Sequence, residues 1–286
     1  LQVGAAIAVS RLAVAEVPPF TLAMLRYAIG FACLAPFAWH QRRLAFDAPR
    51  LHGNARDLAG MALLGVGQFG VLIALLNFGL QRIGAAQAAL IFSLFPLITL
   101  VWSAARGRER ITPTLLAGVL VSIAGVAMSL APKLGAHTGQ SWSGEIAVAA
   151  AATIGAVCSV LYRPYLQRYP TVPVSAFAML ASVAFLAVAA LPEHWPQRLG
   201  SFGAVAWGAT LFIGLSSGIG YFTWLYALKH EAPTRVTVFL ALNPPTAALI
   251  GWAMLREPVH PGTFAGLALV AAGLWLATRG GNKASP

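Results

Sequence analysis

Charge is what this sequence has least of. Only 9% of its 286 residues are Asp, Glu, Lys or Arg, where soluble domains carry roughly 25%, and a water-soluble fold is excluded on that ground. Acidic residues are scarcest, at 8, and they fall in the breaks between apolar runs or at the ends of runs. The interior therefore lacks the carboxylate relay of the usual proton-coupled pump. Cysteine is nearly absent too. Cys33 and Cys158 each lie alone in an apolar run, with no CxxC and no His/Cys cluster, and are read as apolar filler. No Walker A or HExxH motif, Ser/His/Asp set or metal spacing occurs, so no catalytic residue, cofactor or metal is expected. His194, His230 and His260 are scattered over different loops, which argues against an enzyme embedded in the membrane and acting on lipid. The alternation of polarity over about 10 residues that marks a membrane barrel is also missing.

What is present is apolar length. The chain is 58% hydrophobic with mean hydropathy +0.75, and about 20 apolar residues span a bilayer as a helix. Split at charged, Pro and Gly punctuation, the sequence predicts ten helices, at 1–14, 19–39, 57–80, 84–104, 112–131, 143–162, 173–191, 204–228, 233–254 and 261–279. The first begins on Leu1 and is short, so further residues of that span are expected upstream. A signal peptide is not expected, since no basic leader or cleavage site precedes Arg11.

The net charge of +11 would suggest a nucleic-acid partner in a soluble protein. Here the basic residues separate apolar runs, so the partners expected are the bilayer and a small molecule, with the chain a monomer or homodimer. With the N-terminus inside, the inner segments hold Arg42, Arg43, Arg50, Arg56, Arg106, Arg108, Arg110, Arg163, Arg168, Lys229, Arg235, Arg279 and Lys283. The outer ones hold Arg82, Lys133, Arg198 and Arg256. The positive-inside rule then puts both termini in the cytoplasm.

A shift of 148 positions superposes Pro96 on Pro244, Arg108 on Arg256, Glu109 on Glu257, Pro113 on Pro261, Gly118 on Gly266 and Gly125 on Gly273. Farther upstream, Ala23-Met24-Leu25 recurs as Ala178-Met179-Leu180 at a shift of 155. Two five-helix repeats are predicted, 1–131 and 143–279, joined by a periplasmic linker at 132–142 and followed by a cytoplasmic tail at 280–286. Five is odd, so the second repeat enters from the opposite side. The fold class expected is an all-α polytopic membrane protein, ten transmembrane helices as two inverted-topology repeats around a central cavity. Such symmetry is typical of secondary transporters working by alternating access.

The repeated Arg-Glu, Pro and Gly-x6-Gly phrases, the segment from Pro18 to Tyr27, and the LFP and LNPP turns resemble the EamA-type transporters of the drug/metabolite transporter superfamily. Within it the nearest resemblance is to the bacterial aromatic amino-acid exporter branch. The resemblance covers nearly the whole chain. It implies a cavity built from helices 1–4 and 6–9, with helices 5 and 10 peripheral. The implied activity is export of amino acids, neutral or aromatic, or similar metabolites across the inner membrane. Sugar-phosphate or nucleotide-sugar carriage is the alternative.

Candidate site residues follow from polarity inside apolar runs. Ser217, Tyr221, Trp224 and Leu228 share a helical face, as a substrate wall or as an interfacial aromatic belt. The shift maps Ser217 to Phe69 and Ser216 to Gln68. A buried Gln68 needs a partner, either substrate or another helix. Pro96 and the pair Pro244-Pro245 each interrupt a span and free a carbonyl, with Asn243, Phe92 and Phe239 beside them, for gating or for shape. Arg26 lies within the second span, where the resemblance suggests a structural or gating role and a substrate carboxylate is the alternative. Glu109 and Glu257 precede helices, where acidic groups suit the N-terminus, and are read as structural. Gly118, Ser122, Gly125 and Ser129 form a packing seam.

Overall fold

The computed structural model describes residues 2–44, 55–107, 112–134, 141–231, 233–238, 240, 243, 246–247, 250, 252–253 and 261–281. It is helical throughout, with no strand among the described residues. In order come α1 (Gln2–Ala13), α2 (Pro19–Leu44), α3 (Ala55–Gly65), a π-helical turn (Val66–Val71), α4 (Leu72–Leu80), α5 (Ala85–Phe92) and α6 (Phe95–Ala105). They are followed by α7 (Pro113–Leu134), α8 (Ser143–Arg168), α9 (Thr171–Ala189), a short α10 (Trp195–Arg198), α11 (Ala204–His230), α12 (Pro233–Val238) and α13 (Pro261–Gly281). Among the described residues, six helical stretches are long and apolar enough to cross a membrane, and three shorter apolar helices accompany them. Large apolar side chains such as Leu63, Leu120, Val188 and Ile219 point outward, as helices facing lipid require.

Several boundaries differ from those predicted. α2 and α8 run on to Leu44 and Arg168, past the basic residues at which the apolar runs were ended. A helix needs only its backbone paired, and Pro164 removes one N–H. α7 likewise enters the stretch read as a linker, and α13 the stretch read as a tail. The third run contains a π-helical turn. The fourth breaks at Ser93-Leu94, so Pro96 stands in the first turn of α6 rather than within a helix, where its missing N–H costs nothing. Of the ninth run, the described part is α12 and a few positions after it. Glu109, Phe239, Pro244, Pro245 and Glu257 lie outside the described residues.

Packing joins the N-terminal five runs to the C-terminal five along their whole depth. α2 lies against α9 and α11, α8 against α4 and α6, α1 against α11, and α7 against α13. Small residues set these distances. A Cβ on Gly65 would lie 2.7 Å from the Ala178 carbonyl oxygen, and one on Gly218 3.1 Å from that of Gly30. Between α7 and α13 the glycines related by 148 meet crosswise, each facing the mate of the other. A Cβ on Gly125 would lie 2.6 Å from the Gly266 oxygen and one on Gly273 2.5 Å from the Gly118 oxygen. Ser122 Oγ donates to the Val270 carbonyl at 3.3 Å.

The two ends of the bundle are closed by different chemistry. At the end bearing the 14–18 turn, Glu193 accepts from the backbone N–H groups of Phe20 and Thr21 at 3.1 and 2.7 Å and from the Thr21 hydroxyl at 2.6 Å. Glu16 accepts from the Gly203 N–H at 2.8 Å. Each carboxylate thus caps a helix start belonging to the other five runs, where unpaired N–H groups and the helix dipole favour an anion. At the opposite end Asp57 accepts from the Tyr169 hydroxyl at 2.8 Å and pairs with Arg168 at 3.5 Å. That hydrogen bond holds the Tyr169 phenol above its ordinary value, so the phenol stays protonated and donating through neutral pH and the bond is lost when it ionises at strongly alkaline pH.

Introducing side chains at the α7/α13 contact tests this packing. Gly273→Leu should lower stability by about 1–3 kcal/mol through overpacking, seen as a lower unfolding temperature in detergent. Gly208→Leu, where a Cβ would meet nothing within 4 Å, should leave it unchanged.

Candidate functional site

Where α2, the π-helical turn and α11 meet, aromatic rings fill the seam. Phe69 is fully buried, with its ring centroid 5.5 Å from that of Tyr27, 4.7 Å from Tyr221 in an edge-on arrangement, and 6.4 Å from Tyr162. Tyr27 and Tyr221 are themselves 5.5 Å apart. Edge-on and tilted geometries of this kind favour contact between the ring quadrupoles. The π-helical turn adds one residue to the helical winding and leaves Gln68, Phe69 and Gly70 buried together.

Beside this cluster a narrow cavity of about 40 Å³ opens, room for roughly three water molecules. Phe92, Phe95, Tyr221 and Trp224 form its aromatic wall, Leu72, Ile73, Leu76 and Leu240 its aliphatic one, and Arg26 and Gln68 its polar part. Phe95 stands edge-on to Trp224 at 6.1 Å and lies 5.5 Å from Phe92. A wider groove of about 560 Å³ continues from it between α1, α11 and the ninth run. The groove shares Val3, Arg26, Tyr221, Trp224 and Leu240 with the narrow part and adds Ser216 and Asn243.

The polar groups here are few and incompletely bonded. Gln68 Oε1, Trp224 Nε1 and Asn243 Nδ2 are buried without a hydrogen-bond partner, a costly state unless a ligand or water supplies one. Arg26 is 5% exposed, and its Nε–H donates to Ser217 Oγ at 2.6 Å. Ser217 in turn donates to the Ile213 carbonyl.

Gln68, Phe92, Tyr221 and Trp224 therefore meet around the narrow cavity, and Asn243 lines the adjoining groove with Tyr221 and Trp224. Phe69 and Ser217 stand behind that lining, Phe69 supporting Tyr221 and Ser217 holding Arg26. Pro96 is buried next to Phe95 at the start of α6. Arg26 neither snorkels nor pairs with a carboxylate among the described residues. Sequence reasoning missed Phe95, Tyr27 and Tyr162, which nothing distinguishes from other aromatics in apolar runs. Glu145, read as a run-end residue, stands in the first turn of α8; what the sequence did not show is that its side chain is buried at 5% exposure and accepts from Gln87 Nε2 at 3.1 Å. No group of three or more His, Cys, Asp or Glu suited to a metal occurs among the described residues.

The model of the EamA-like transporter family matches residues 1–131 and 142–279. A protein of Streptantibioticus cattleyicolor described as a probable terminal-alkyne amino-acid exporter is 32% identical over 231 residues, 79% of this chain and 75% of its own. The aromatic amino acid exporter YddG of Ancylobacter novellus is 32% identical over 174 residues, 55% of this chain and 58% of its own. A solved crystal structure aligns with all of this chain and 97% of its own at 25% identity, with a TM-score of 0.69.

The ring cluster behind the cavity should be a stability element. Phe69→Ala should cost about 3–5 kcal/mol by leaving a void among Tyr27, Tyr162 and Tyr221, measured by unfolding in detergent, and Phe69→Leu distinctly less.

Proposed function

The chain belongs to the EamA-like transporter family, and from that premise we propose that it exports amino acids, neutral or aromatic, and related small metabolites across the bacterial inner membrane by alternating access. The observation behind this reading is the lining at the seam. Phe92, Phe95, Tyr221 and Trp224 offer an apolar and aromatic surface, and Gln68, Asn243 and Arg26 offer a few convergent polar groups. That combination suits a small molecule with an apolar side chain and one compact polar end. Two relatives named as amino-acid exporters support the same cargo class. A phosphorylated sugar would call for several cations around its phosphate, and Arg26 is alone among the described lining residues.

Alternating access rests on the two repeats, 1–131 and 143–279, and on their inverted relation. Supporting it, Gly118, Gly125 and Ser122 meet Gly273, Gly266 and Val270 across the α7/α13 contact, a set closed under the 148 shift. With both termini in the cytoplasm, Glu16 and Glu193 clasp the periplasmic end, and the wider groove leads from the cavity toward the cytoplasm. Rocking one repeat against the other breaks the clasp and turns the cavity outward. On the sequence reading, Phe239 joins the lining, and Pro96, Pro244 and Pro245 serve as its gating or shaping elements. Glu109 and Glu257 steady the helices that follow them.

Purified protein in vesicles tests the reading. Labelled phenylalanine and leucine should exchange with unlabelled amino acid inside, and glucose 6-phosphate should not. Tyr221→Ala and Trp224→Ala should each weaken half-saturation by about tenfold, the order expected for losing one aromatic contact. Unchanged exchange in both variants would remove α11 from the site.

A further inference from the structure

A guanidinium inside a membrane bundle ordinarily faces an acidic partner or water. Arg26 faces neither a carboxylate nor the bilayer surface. Its bonded partner is neutral, the Ser217 hydroxyl, and the Tyr27 ring, with its centroid 5.7 Å from the guanidinium carbon, lends partial compensation. The acidic residues of the described chain lie elsewhere: Glu16 and Glu193 in the clasp, Asp57 with Arg168 and Tyr169, Glu145 with Gln87, and Glu231 exposed at the C-terminal end of α11. The cation borders both the narrow cavity and the wider groove, so the space it adjoins is the space a ligand would enter.

The bonding at Arg26 also sets its orientation. Ser217 Oγ donates to the Ile213 carbonyl and accepts from Nε–H, which occupies the hydroxyl in both senses. With Nε engaged, the two terminal nitrogens retain the end-on pair of donors that matches the two oxygens of a carboxylate. Resting on the amino-acid reading above, we propose that Arg26 binds the substrate's carboxylate, with Ser217 as the residue that positions it. The charge left without a protein partner is then met by the cargo. Gln68 Oε1, unpartnered and in the same cavity, accepts from the amino group. No acidic side chain lines either space among the described residues. The carboxylate therefore governs recognition more than the ammonium does.

That asymmetry separates three simple probes: phenylalanine, 3-phenylpropionate, which lacks the amine, and phenethylamine, which lacks the carboxylate. In wild-type vesicles 3-phenylpropionate should compete with labelled phenylalanine within about tenfold of phenylalanine itself, and phenethylamine about 100-fold more weakly, the range for losing hydrogen bonds to a charged group. Arg26→Gln should raise the half-saturating phenylalanine concentration about 100-fold and abolish the preference for 3-phenylpropionate over phenethylamine. Arg26→Lys should retain the preference with weaker binding, and Ser217→Ala should weaken phenylalanine about tenfold with the preference intact. The proposal is overturned if phenethylamine competes as well as 3-phenylpropionate in the wild type, a comparison that needs no variant to fold. Unchanged half-saturation in a folded Arg26→Gln protein overturns it too. If the wild type moves no amino acid, the amino-acid reading fails separately. Thermal stabilisation by 3-phenylpropionate but not phenethylamine, lost in Arg26→Gln, would still support the anchor, and equal effects of both would end it.

Discussion

Helices in hydrocarbon are not pressed together by the hydrophobic effect, because lipid tails are as apolar as leucine. What holds this bundle is how near the backbones can come, and that nearness is set by glycine. Gly30 on α2 meets Gly214 and Gly218 on α11: Cβ atoms added to Gly30 or Gly218 would lie 3.1–3.5 Å from opposing backbone, and one on Gly214 would lie 2.7 Å from Ile29 Cβ. The same approach lets Arg26, one turn before Gly30, reach Ser217, one residue before Gly218. A larger residue at any of the three would part the helices and leave the guanidinium in an apolar interior with no partner. Gly65 against Ala178 does the corresponding work for the π-helical turn, and Ser182 reinforces it by donating to the Gly65 carbonyl at 2.7 Å. The cavity exists because these contacts place polar and aromatic side chains from both groups of helices around one space.

Its lining departs from the symmetry of the frame. Under the 148 shift Gln68 corresponds to Ser216 and Phe69 to Ser217, so one side presents an amide and a buried ring where the other presents two hydroxyls. The ends differ as well. At one, two carboxylates cap helix starts on opposite groups of runs, a closure that uses N–H groups the helices cannot pair themselves. At the other, one carboxylate is shared by a phenol and a guanidinium. Between them the narrow cavity holds only a few waters, and a phenylalanine enters it only if the seam moves.

Much of this was legible in the sequence because hydrocarbon punishes polarity so strictly. A span needs about 20 apolar residues, so the long apolar runs read as helices, six of them long and apolar enough to cross a membrane among the described residues, and Gln68 and Asn243 stand out as amides within such runs. Tyr221 and Trp224 were found by their spacing on one face of α11. Phe95 and Tyr27 were not, since an aromatic in an apolar run carries no mark that separates lining from packing. The π-helical turn leaves only the small residues of GVGQFG as a trace. The bond between Arg26 and Ser217 spans 191 positions, beyond any local pattern. Run ends were misjudged at Arg42 and Arg163, because charge marks where lipid stops rather than where a helix does.

The central claim is that cargo crosses by opening and closing the seam between the two groups of helices. Thr21→Cys with Glu193→Cys, in protein whose Cys33 and Cys158 are replaced by alanine, puts a thiol on each side of the clasp and permits a short, cleavable bis-thiol bridge. Labelled phenylalanine exchange in vesicles should fall to the protein-free level while the bridge is in place and recover when it is cleaved. Exchange that continues undiminished through the bridged protein would contradict the account.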